Sequence, residues 1–374
     1  MSTRQRQYGS RGPVDFWFST AWMVFVLCLQ SGCIWSPAIG DDGYSDCEQQ
    51  EDCGAGRICQ AGLCAPPAWN DDRFGSRQLF VVRNQASVPL AAGTPVAVRI
   101  GAGGLIQSSE FGVDGRFVYF DPGENEWQTL PAYRDVYDDF LQVFLPLSIS
   151  VPPAEERQLA WLETRTASGN SNYLEDPERV FGYFDDFAGD EISSLRYRSF
   201  GTGMPVVEDG KVRIDDNQRL VGQVPFDQPF SLQARARING VNCSRFFIGV
   251  SESDGLSYGA PSVGFFSNSA LSVIPEIAPT TESVPRPVAG EIEISTAENR
   301  FRIDVGDGQA RLWINDDIVA EPELRPQLEN VPLYLRIEVD GACSVEVERV
   351  FVRPVPFELP VVVAEPRVDY EILR

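Results

Sequence analysis

The chain divides at Glu178-Arg-Val-Phe-Gly-Tyr-Phe-Asp-Asp-Phe-Ala-Gly-Asp190, an aromatic stretch that the pair Asp185-Asp186 interrupts. Short strand-like runs precede this stretch, and longer runs with a cleaner alternation of apolar and polar residues follow it. Alternation with a period of two, bounded by turn residues, is the pattern of half-buried strands. We therefore expect the last strand of one β-domain to run here into the first strand of another.

The composition limits the classes of function. The chain has 374 residues, a formal net charge of −23 and no histidine. Its length favours two globular domains with appendages. The acidity argues against nucleic acid as a partner, because phosphates demand a basic face. The lack of histidine excludes a Ser-His-Asp or Cys-His enzyme and any zinc site with histidine ligands.

Residues 1–32 have the features of an export signal. Arginines precede an apolar run from Phe16 to Leu29, which is shorter than the roughly 20 residues of a membrane-spanning helix. Leu29-Gln-Ser-Gly-Cys33 resembles the bacterial lipoprotein box, with Gln30 where that box has leucine. The resemblance implies a lipid on Cys33 and a place at the outer membrane or cell surface of a Gram-negative bacterium. An ordinary signal peptide and an uncleaved anchor are the alternatives.

Residues 33–72 contain four closely spaced cysteines, Cys47, Cys53, Cys59 and Cys64. In an exported chain such cysteines predict two disulfides, for which three pairings are possible. Zinc is the alternative, but the Cys-x2-Cys spacing typical of zinc is missing. The segment resembles the small cysteine-rich knots that follow the lipid anchor in myxobacterial-type surface proteins. Ala65-Pro-Pro-Ala68 then predicts a stiff linker.

Residues 73–180 predict a first β-sandwich, because short apolar runs alternate with proline- and glycine-containing gaps. The runs are Leu79–Val82, Val96–Ile100, Phe117–Phe120, Leu141–Leu145 and Leu159–Leu162.

The order of Phe111-Gly-Val-Asp-Gly-Arg-Phe117, Leu130-Pro-Ala-Tyr133 and Val143-Phe-Leu-Pro-Leu147 resembles a bacterial extracellular domain of unknown function. In that family a Val-Phe-x-Phe-Asp-Asp-Phe strand leads into a concanavalin- or laminin-G-like sandwich. The resemblance implies a fold and an extracellular setting, and no known chemistry.

Residues 181–353 predict the second sandwich, since Leu232–Ile238 and Leu333–Val339 alternate apolar and polar residues over a whole strand. Asp186-Phe-Ala-Gly-Asp190 resembles the opening of laminarinase-like and laminin-G-like sandwiches. Val350-Phe-Val-Arg353 resembles the last strand of the concanavalin-like group, which pairs beside the opening strand. The apolar phase slips before Val350, so we expect a β-bulge near Glu348.

The expected fold is therefore all-β, with two β-sandwich domains in tandem. The second is expected to be a concanavalin A/laminin-G-like jelly roll. A small disulfide knot precedes them, and residues 354–374, rich in proline, are expected to form an extended tail.

No residues qualify as catalytic. Laminarinase-like enzymes carry Glu-x-Asp-x-x-Glu on one strand, so that alternate carboxylates face one cleft. Glu291-Ile-Glu293 lacks the central aspartate, and Glu346-Val-Glu348 has only two carboxylates. We expect both pairs to lie on solvated strand faces.

Two candidate binding sites remain, each indicated by a sequence pattern of low specificity. Asp185, Asp186 and Glu348 are candidate ligands of one structural calcium, the only cofactor expected, because opening and last strands of such sandwiches often hold a cation. Trp313 and Asn315 are candidates for binding a sugar, but an ordinary hairpin with the tryptophan inside and an Asn-Asp turn outside is favoured.

Cys243 and Cys343 are predicted to form one disulfide. They are the only cysteines outside the leader and the knot, in a chain expected to meet an oxidising compartment. Each follows a strand of the second sandwich, Cys243 through an expected turn at Asn239–Asn242 and Cys343 through an expected turn at Asp340–Ala342. Neighbouring strands would place both turns at the same end.

These features predict a non-catalytic cell-surface lipoprotein that binds a polysaccharide or a cell-envelope protein through its sandwiches. It would contact the membrane only through its lipid. A structural envelope lipoprotein with only protein partners is the first alternative, and a divergent glycoside hydrolase is the second. The functional part of this prediction rests on fold-level analogy.

Overall fold

In the computed structural model, the described residues are 45–53, 58–60, 63–65, 76–101, 115–121, 124, 126–137, 140–164, 175–252, 260–269, 272–278, 286–324, 326–357, 359–364 and 368–369. The chain forms two compact units, Met1–Ala68 and Trp69–Arg374. The predicted export signal, Cys33 and most of the predicted linker lie outside the described residues. In the described part of the chain, no helix is long and apolar enough to cross a membrane.

The first unit contains the cysteine-rich knot. Its three strands lie in the order β1-β3-β2, and a 3-10 turn at Gln50–Asp52 follows β1. The strands are β1 (Ser45–Asp46), β2 (Ile58–Gln60) and β3 (Leu63–Ala65). A disulfide joins Cys47 to Cys59, with 5.8 Å between their Cα atoms, and Cys53 is also disulfide-bonded. The predicted disulfide knot is confirmed, and cysteines in disulfides offer zinc no thiolate.

The first sandwich has two antiparallel sheets, one in the order β4-β10-β6-β7 and one in the order β5-β9-β8. All five predicted apolar runs lie in these strands. The strands are β4 (Ser76–Arg83), β5 (Pro95–Gly101), β6 (Arg116–Asp121), β7 (Glu126–Thr129), β8 (Tyr133–Val136), β9 (Phe140–Pro146) and β10 (Glu156–Thr164). Between the sheets, Phe80, Val98, Phe117, Val143 and Leu162 form part of the core.

The connection between the sandwiches differs from the prediction that the last strand of one domain runs directly into the first strand of the other. Residues Pro177–Val180 form a short helix, α1, and only Tyr183–Asp185 forms a strand, β11. Asp176 caps the helix by accepting a hydrogen bond from the Arg179 amide, and Pro177 occupies the first turn. Both residue types favour a helix start, and this local signal outweighs the β-propensity of the aromatic residues that follow.

Two long antiparallel strands dominate the second sandwich, β16 (Phe230–Ser251) and β24 (Tyr334–Pro354). The shorter strands are β12 (Tyr197–Gly201), β13 (Val206–Glu208), β14 (Lys211–Ile214), β15 (Gln218–Gly222), β17 (Ser262–Ser269), β18 (Ser272–Ala278), β19 (Arg286–Pro287), β20 (Ile292–Glu293), β21 (Asn299–Gly306), β22 (Gln309–Ile314) and β23 (Asp317–Ala320).

Each long strand belongs to two sheets. The first half of β16 and the second half of β24 combine with β11, β13, β14 and β21–β23 to form what we call the junction sheet. The other halves combine with β12, β15 and β17–β20 to form the distal sheet. The two sheets face each other, since the ring of Phe301 in the junction sheet lies 5.2 Å from that of Phe265 in the distal sheet. The second domain is therefore a jelly-roll sandwich, as predicted.

The predicted disulfide between Cys243 and Cys343 is confirmed, with 5.1 Å between the Cα atoms, but the expected turns beside it are wrong. Both strands continue through the bend, where the register shifts between Asn239 and Asn242. Gly240 and Gly341 adopt φ values of 103° and 97°, a region open to glycine, so that the strands bend without ending. The disulfide therefore joins the two long strands where they pass between sheets.

The outer face of the small sheet β5-β9-β8 packs against the outer face of the junction sheet. An aromatic cluster fills this junction: Tyr133, Phe144, Phe181, Phe184 and Phe351. Phe184 lies opposite Phe351 in register, so β11 pairs beside the last strand as predicted. Within the second unit, the sheets of the two sandwiches therefore stack as successive layers.

The end of the chain returns to the first sandwich. Residues Val361–Ala364 form β25, which pairs with β4 from Arg83 to Phe80, and Val368–Asp369 form β26, which pairs with the other end of β4. The segment predicted as an extended tail thus covers the edge of β4, which would otherwise present unpaired backbone groups.

Candidate binding site

The predicted β-bulge organises the junction between the sandwiches. Arg235 pairs with Arg349 and Ala236 with Val347, so Glu348 is the additional residue on β24. Val347 and Val350 are buried in the core, while Glu348 and Arg349 both lie on the outer side. The bulge near Glu348 is confirmed, and it places a carboxylate and a guanidinium side by side on one face.

Asp135 of the first sandwich connects two arginines of the second. Its Oδ1 lies 2.6 Å from Arg235 Nη2 and 3.2 Å from Arg349 Nη1. The two arginines face each other across β16 and β24, an arrangement that would be repulsive without a shared anion. Asp135 is buried, so this ion pair holds the sandwiches together in a setting shielded from solvent.

Glu348 belongs to the same network. It accepts a hydrogen bond from Arg349 Nη2 at 2.5 Å, and Arg235 also contacts Glu298 at 2.9 Å between Nε and Oε1. Glu298 and Glu348 share a hydrogen bond. Burial and this bond raise the pKa of Glu298 to about 7. The hydrogen bonds from Glu298 and Arg349 overcome burial and lower the pKa of Glu348 to about 2, so the pair holds one proton at mildly acidic pH.

A cleft of about 470 Å³ opens beside this network. Tyr133 comes from the first sandwich, and the rest of the lining comes from the second. That lining consists of Phe184, Asp186, Asp209, Gly210, Lys211, Glu348 and Arg349. We call this space the junction cleft, and its volume falls in the range of ligand pockets.

The turn between β13 and β14 brings Lys211 to the junction cleft. Asp209 and Gly210 adopt φ values of 53° and 69°, as in a tight hairpin turn. Lys211 is the only lysine in the sequence. On the opposite side, the Tyr133 hydroxyl accepts a hydrogen bond from Arg349, and burial raises the pKa of Tyr133 to about 12. The cleft therefore combines hydrogen-bond donors and acceptors with side chains of both charges.

The three candidate calcium ligands separate in the structure. Asp186 and Glu348 line the junction cleft, whereas Asp185 accepts a hydrogen bond from the Phe187 amide and lies 3.7 Å from Arg196. Asp186 itself accepts from the Ala188 amide. Among the described residues, the only trio of potential ligand atoms that converge is Cys47, Cys53 and Cys59, and all three are in disulfides.

Trp313 and Asn315 form a hairpin, but the tryptophan is not inside. Leu312 and Ile314 fill the core, and Trp313 lies half-buried on the outer face under the guanidinium of Arg302. Side chains alternate strictly along β22, so Trp313 must face outward when Leu312 and Ile314 face the core. Asn315 forms the turn, and its side chain accepts a hydrogen bond from the Arg300 amide.

Glu291 and Glu293 are exposed at the edge of the distal sheet. Glu291 accepts a hydrogen bond from the Ser272 hydroxyl. Glu346 is half-buried beside β14, and Glu348 is held by arginines. None of these glutamates faces another across an open groove in the described part of the chain.

The outer face of the distal sheet is filled. Gly249 and Gly264 lie opposite each other in register, and the ring of Phe247 approaches both positions. Arg336 lies beside them and binds Glu338 through Nη2 at 2.5 Å. Phe247, Arg336 and Glu338 are all buried. Among the described residues, the centre of this face therefore shows no open groove.

Sequence reasoning identified Asp186 and Glu348 but missed Tyr133, Asp135, Lys211 and Arg235. Their role depends on the packing of one sandwich against the other, which strand periodicity does not report. The sequence contained one signal that pointed to Lys211, since it is the only lysine among the 31 lysine and arginine residues.

Comparison with known proteins finds no sequence match and only partial structural similarity. No protein-family model matches the chain, and no curated protein matches it. An endo-β-1,3-glucanase from Pyrococcus furiosus has a TM-score of 0.39 at 12% identity, over 46% of this chain and 94% of that chain. A laminarinase from Rhodothermus marinus has a TM-score of 0.39 at 14% identity, over 46% and 96%. An endo-acting O-glycanase of the human gut microbiota has a TM-score of 0.39 at 10% identity, over 47% and 99%.

Proposed function

We propose that this protein is a non-catalytic cell-surface binding protein and that the junction cleft holds a glycan. The observation that supports the proposal is the composition of the cleft wall. Carboxylates of Asp186, Asp209 and Glu348 lie with the ammonium group of Lys211 around one open space of about 470 Å³. Neighbouring hydroxyls of a sugar both donate and accept hydrogen bonds, which suits such a mixed wall.

The rigid surroundings of the cleft favour binding. Arg349 and Glu348 are fixed by their contacts with Asp135 and Tyr133. Side chains that are already held in place lose little conformational entropy when a ligand arrives. Since both sandwiches supply the wall, the proposed site depends on the tandem arrangement rather than on either domain alone.

The arrangement of the carboxyl groups opposes turnover. A glycosidase needs two carboxyl groups on either side of the scissile bond, about 5 Å or more apart. Glu298 and Glu348 have the separated pKa values expected of an acid and a base, about 7 and about 2. Only Glu348 of this pair lines the junction cleft, so the two carboxyl groups do not face each other across it. We therefore propose binding without hydrolysis.

The proposed location is the outer membrane or cell surface, with lipid on Cys33 as the only contact with the membrane. Mass spectrometry of the mature protein from its native host should show an acylated N-terminal cysteine and no peptide from residues 1–32. Detection of the run Phe16–Leu29 in mature protein would contradict this location.

Glycan-array screening followed by calorimetry tests the function. We expect a hit whose affinity falls about tenfold or more when Lys211→Ala removes a charged hydrogen bond. Glu293→Gln, on the exposed edge of the distal sheet, is the control and should bind normally. No binding to any glycan would favour a structural role with protein partners, and release of reducing sugar would favour a divergent hydrolase.

A further inference from the structure

A buried arginine lies away from the junction cleft, at the far end of β24. Arg353 projects from the outer face of the junction sheet towards the first sandwich and is 3% exposed. Its guanidinium carbon lies 5.3 Å from the ring centre of Phe144. Burial lowers the pKa of Arg353 to about 9, which still leaves the group positively charged at neutral pH.

No acceptor satisfies this charge within the described residues. Arg353 forms no ion pair there, and its Nε has no hydrogen-bond partner. The nearest candidate, Asp304, is already occupied: Arg302 binds its two oxygens at 2.8 and 2.6 Å, and Trp313 Nε1 donates to it at 2.9 Å. The charge of Asp304 is therefore largely compensated by Arg302.

A second unsatisfied group lies next to Arg353. Ser231 pairs with Arg353 on one side and with Asp304 on the other. It is fully buried, and its hydroxyl has no hydrogen-bond partner among the described residues. Side chains directly opposite each other on antiparallel strands have Cβ atoms about 5 Å apart. The hydroxyl of Ser231 and the side chain of Arg353 therefore lie next to each other on the same outer face of the junction sheet.

We propose that a monovalent anion of the size of chloride binds at Arg353, held by its guanidinium and by the hydroxyl of Ser231. A buried charge without a partner is strongly unfavourable, and a buried hydroxyl without a hydrogen bond adds to that cost. One anion relieves both, and it restores neutrality beside the compensated Arg302–Asp304 pair. Water would satisfy the hydrogen bonds but not the charge. The site is independent of the proposed glycan binding.

Thermal unfolding of the full chain at constant ionic strength, with gluconate replaced by chloride, tests the site. We expect Tm to rise by roughly 3 °C or more when chloride reaches about ten times its Kd. Arg353→Met should abolish the chloride-dependent rise. Arg198→Met, which removes an exposed arginine, is the matched control and should retain it. An equal response of the wild type and Arg353→Met would overturn the proposal.

Crystals grown with bromide provide a test that needs no variant, and they decide the question if Arg353→Met does not fold. An anomalous peak within hydrogen-bond distance of the Arg353 guanidinium and the Ser231 hydroxyl supports the site. A map with bromide elsewhere and none at Arg353 refutes it.

Discussion

At the scale of single residues, Asp135 has the largest predicted effect on stability. Changing Asp135→Asn removes the buried anion shared by Arg235 and Arg349 and leaves only the more exposed Glu298 and Glu348 as their carboxylate partners. Breaking a buried ion pair in this way costs about 3–5 kcal/mol. Urea unfolding should show this loss in the free energy of unfolding of the second unit.

The matched control for this change is Asp316→Asn. Asp316 pairs with Arg300 at 2.8 Å, but its side chain is 44% exposed, so the expected loss is below about 1 kcal/mol. Equal losses for the two variants would show that Asp135 does not hold the sandwiches together.

The Glu298–Glu348 pair predicts a pH dependence of stability. The pKa of Glu298 is about 7 in the folded chain, against an ordinary value of 4.5 for glutamate. A raised pKa means that the folded state binds the proton more tightly than the unfolded state does. The stabilisation contributed by Glu298 is therefore complete below about pH 4.5 and is lost as pH rises through 7. Glu298→Gln should therefore reduce the fall in stability between pH 5 and 8, measured by urea unfolding at each pH.

Glu276 titrates in the same window, because burial raises its pKa to about 7. The slope should therefore decrease by about half in Glu298→Gln rather than vanish. Glu293→Gln, with an exposed side chain, should leave the slope unchanged. A Glu298→Gln profile that matches the wild type would rule out the shared proton.

At the scale of the elements, the glycine pair of the distal sheet permits close packing of β16 on β17. A Cβ added at Gly249 would lie 2.4 Å from the Val263 carbonyl oxygen. Gly249→Ala must therefore shift the backbone, and we expect a loss of about 2 kcal/mol or more. Gly290→Ala, where no atom lies within 4 Å of the added Cβ, should change stability little. Chemical denaturation of both variants distinguishes the two sites, and similar stabilities would contradict the close packing.

The strands and the bulge could be predicted from the sequence, whereas the bend and the junction cleft could not. Alternation placed Leu232–Ile238 and Leu333–Val339 correctly in strands, and the phase slip beside Val350 located the bulge, because both patterns are local. The sequence around Gly240 predicts a turn, but a glycine with positive φ permits either a turn or a bend within a strand, and only the pairing of β16 with β24 decides between them. The junction cleft required knowledge of which outer faces meet, and Tyr133 and Asp135 carry no local signal of that contact.

At the scale of the whole molecule, one disulfide constrains the second sandwich. Cys243 and Cys343 are 100 residues apart in sequence, so on the chain-entropy model the bond contributes about 4–5 kcal/mol. The double variant Cys243→Ser/Cys343→Ser should lose most of that stability in urea unfolding. Its knot remains oxidised and serves as an internal control. An unchanged unfolding midpoint would show that the bend between the sheets is held by packing alone.

In the second unit, the C-terminal tail and the junction connect the two sandwiches to each other. Val361–Ala364 completes a sheet of the first sandwich, while the preceding strand β24 supplies Glu348 and Arg349 to the junction cleft. The strand that completes this sheet of the first sandwich, β25, therefore follows the whole second sandwich in the sequence. The geometry of a site at this junction therefore depends on both sandwiches.

The most direct test of the proposed binding uses the single lysine of the chain. Because Lys211 is the only lysine, acetylation followed by peptide mass spectrometry reports the accessibility of the junction cleft without interference from other side-chain amines. The account predicts that a glycan identified on the array slows acetylation of Lys211 in the wild type, and that Asp209→Asn weakens this protection. If the glycan binds but Lys211 reacts at the rate of the free protein, the ligand lies elsewhere and the junction cleft is not its site.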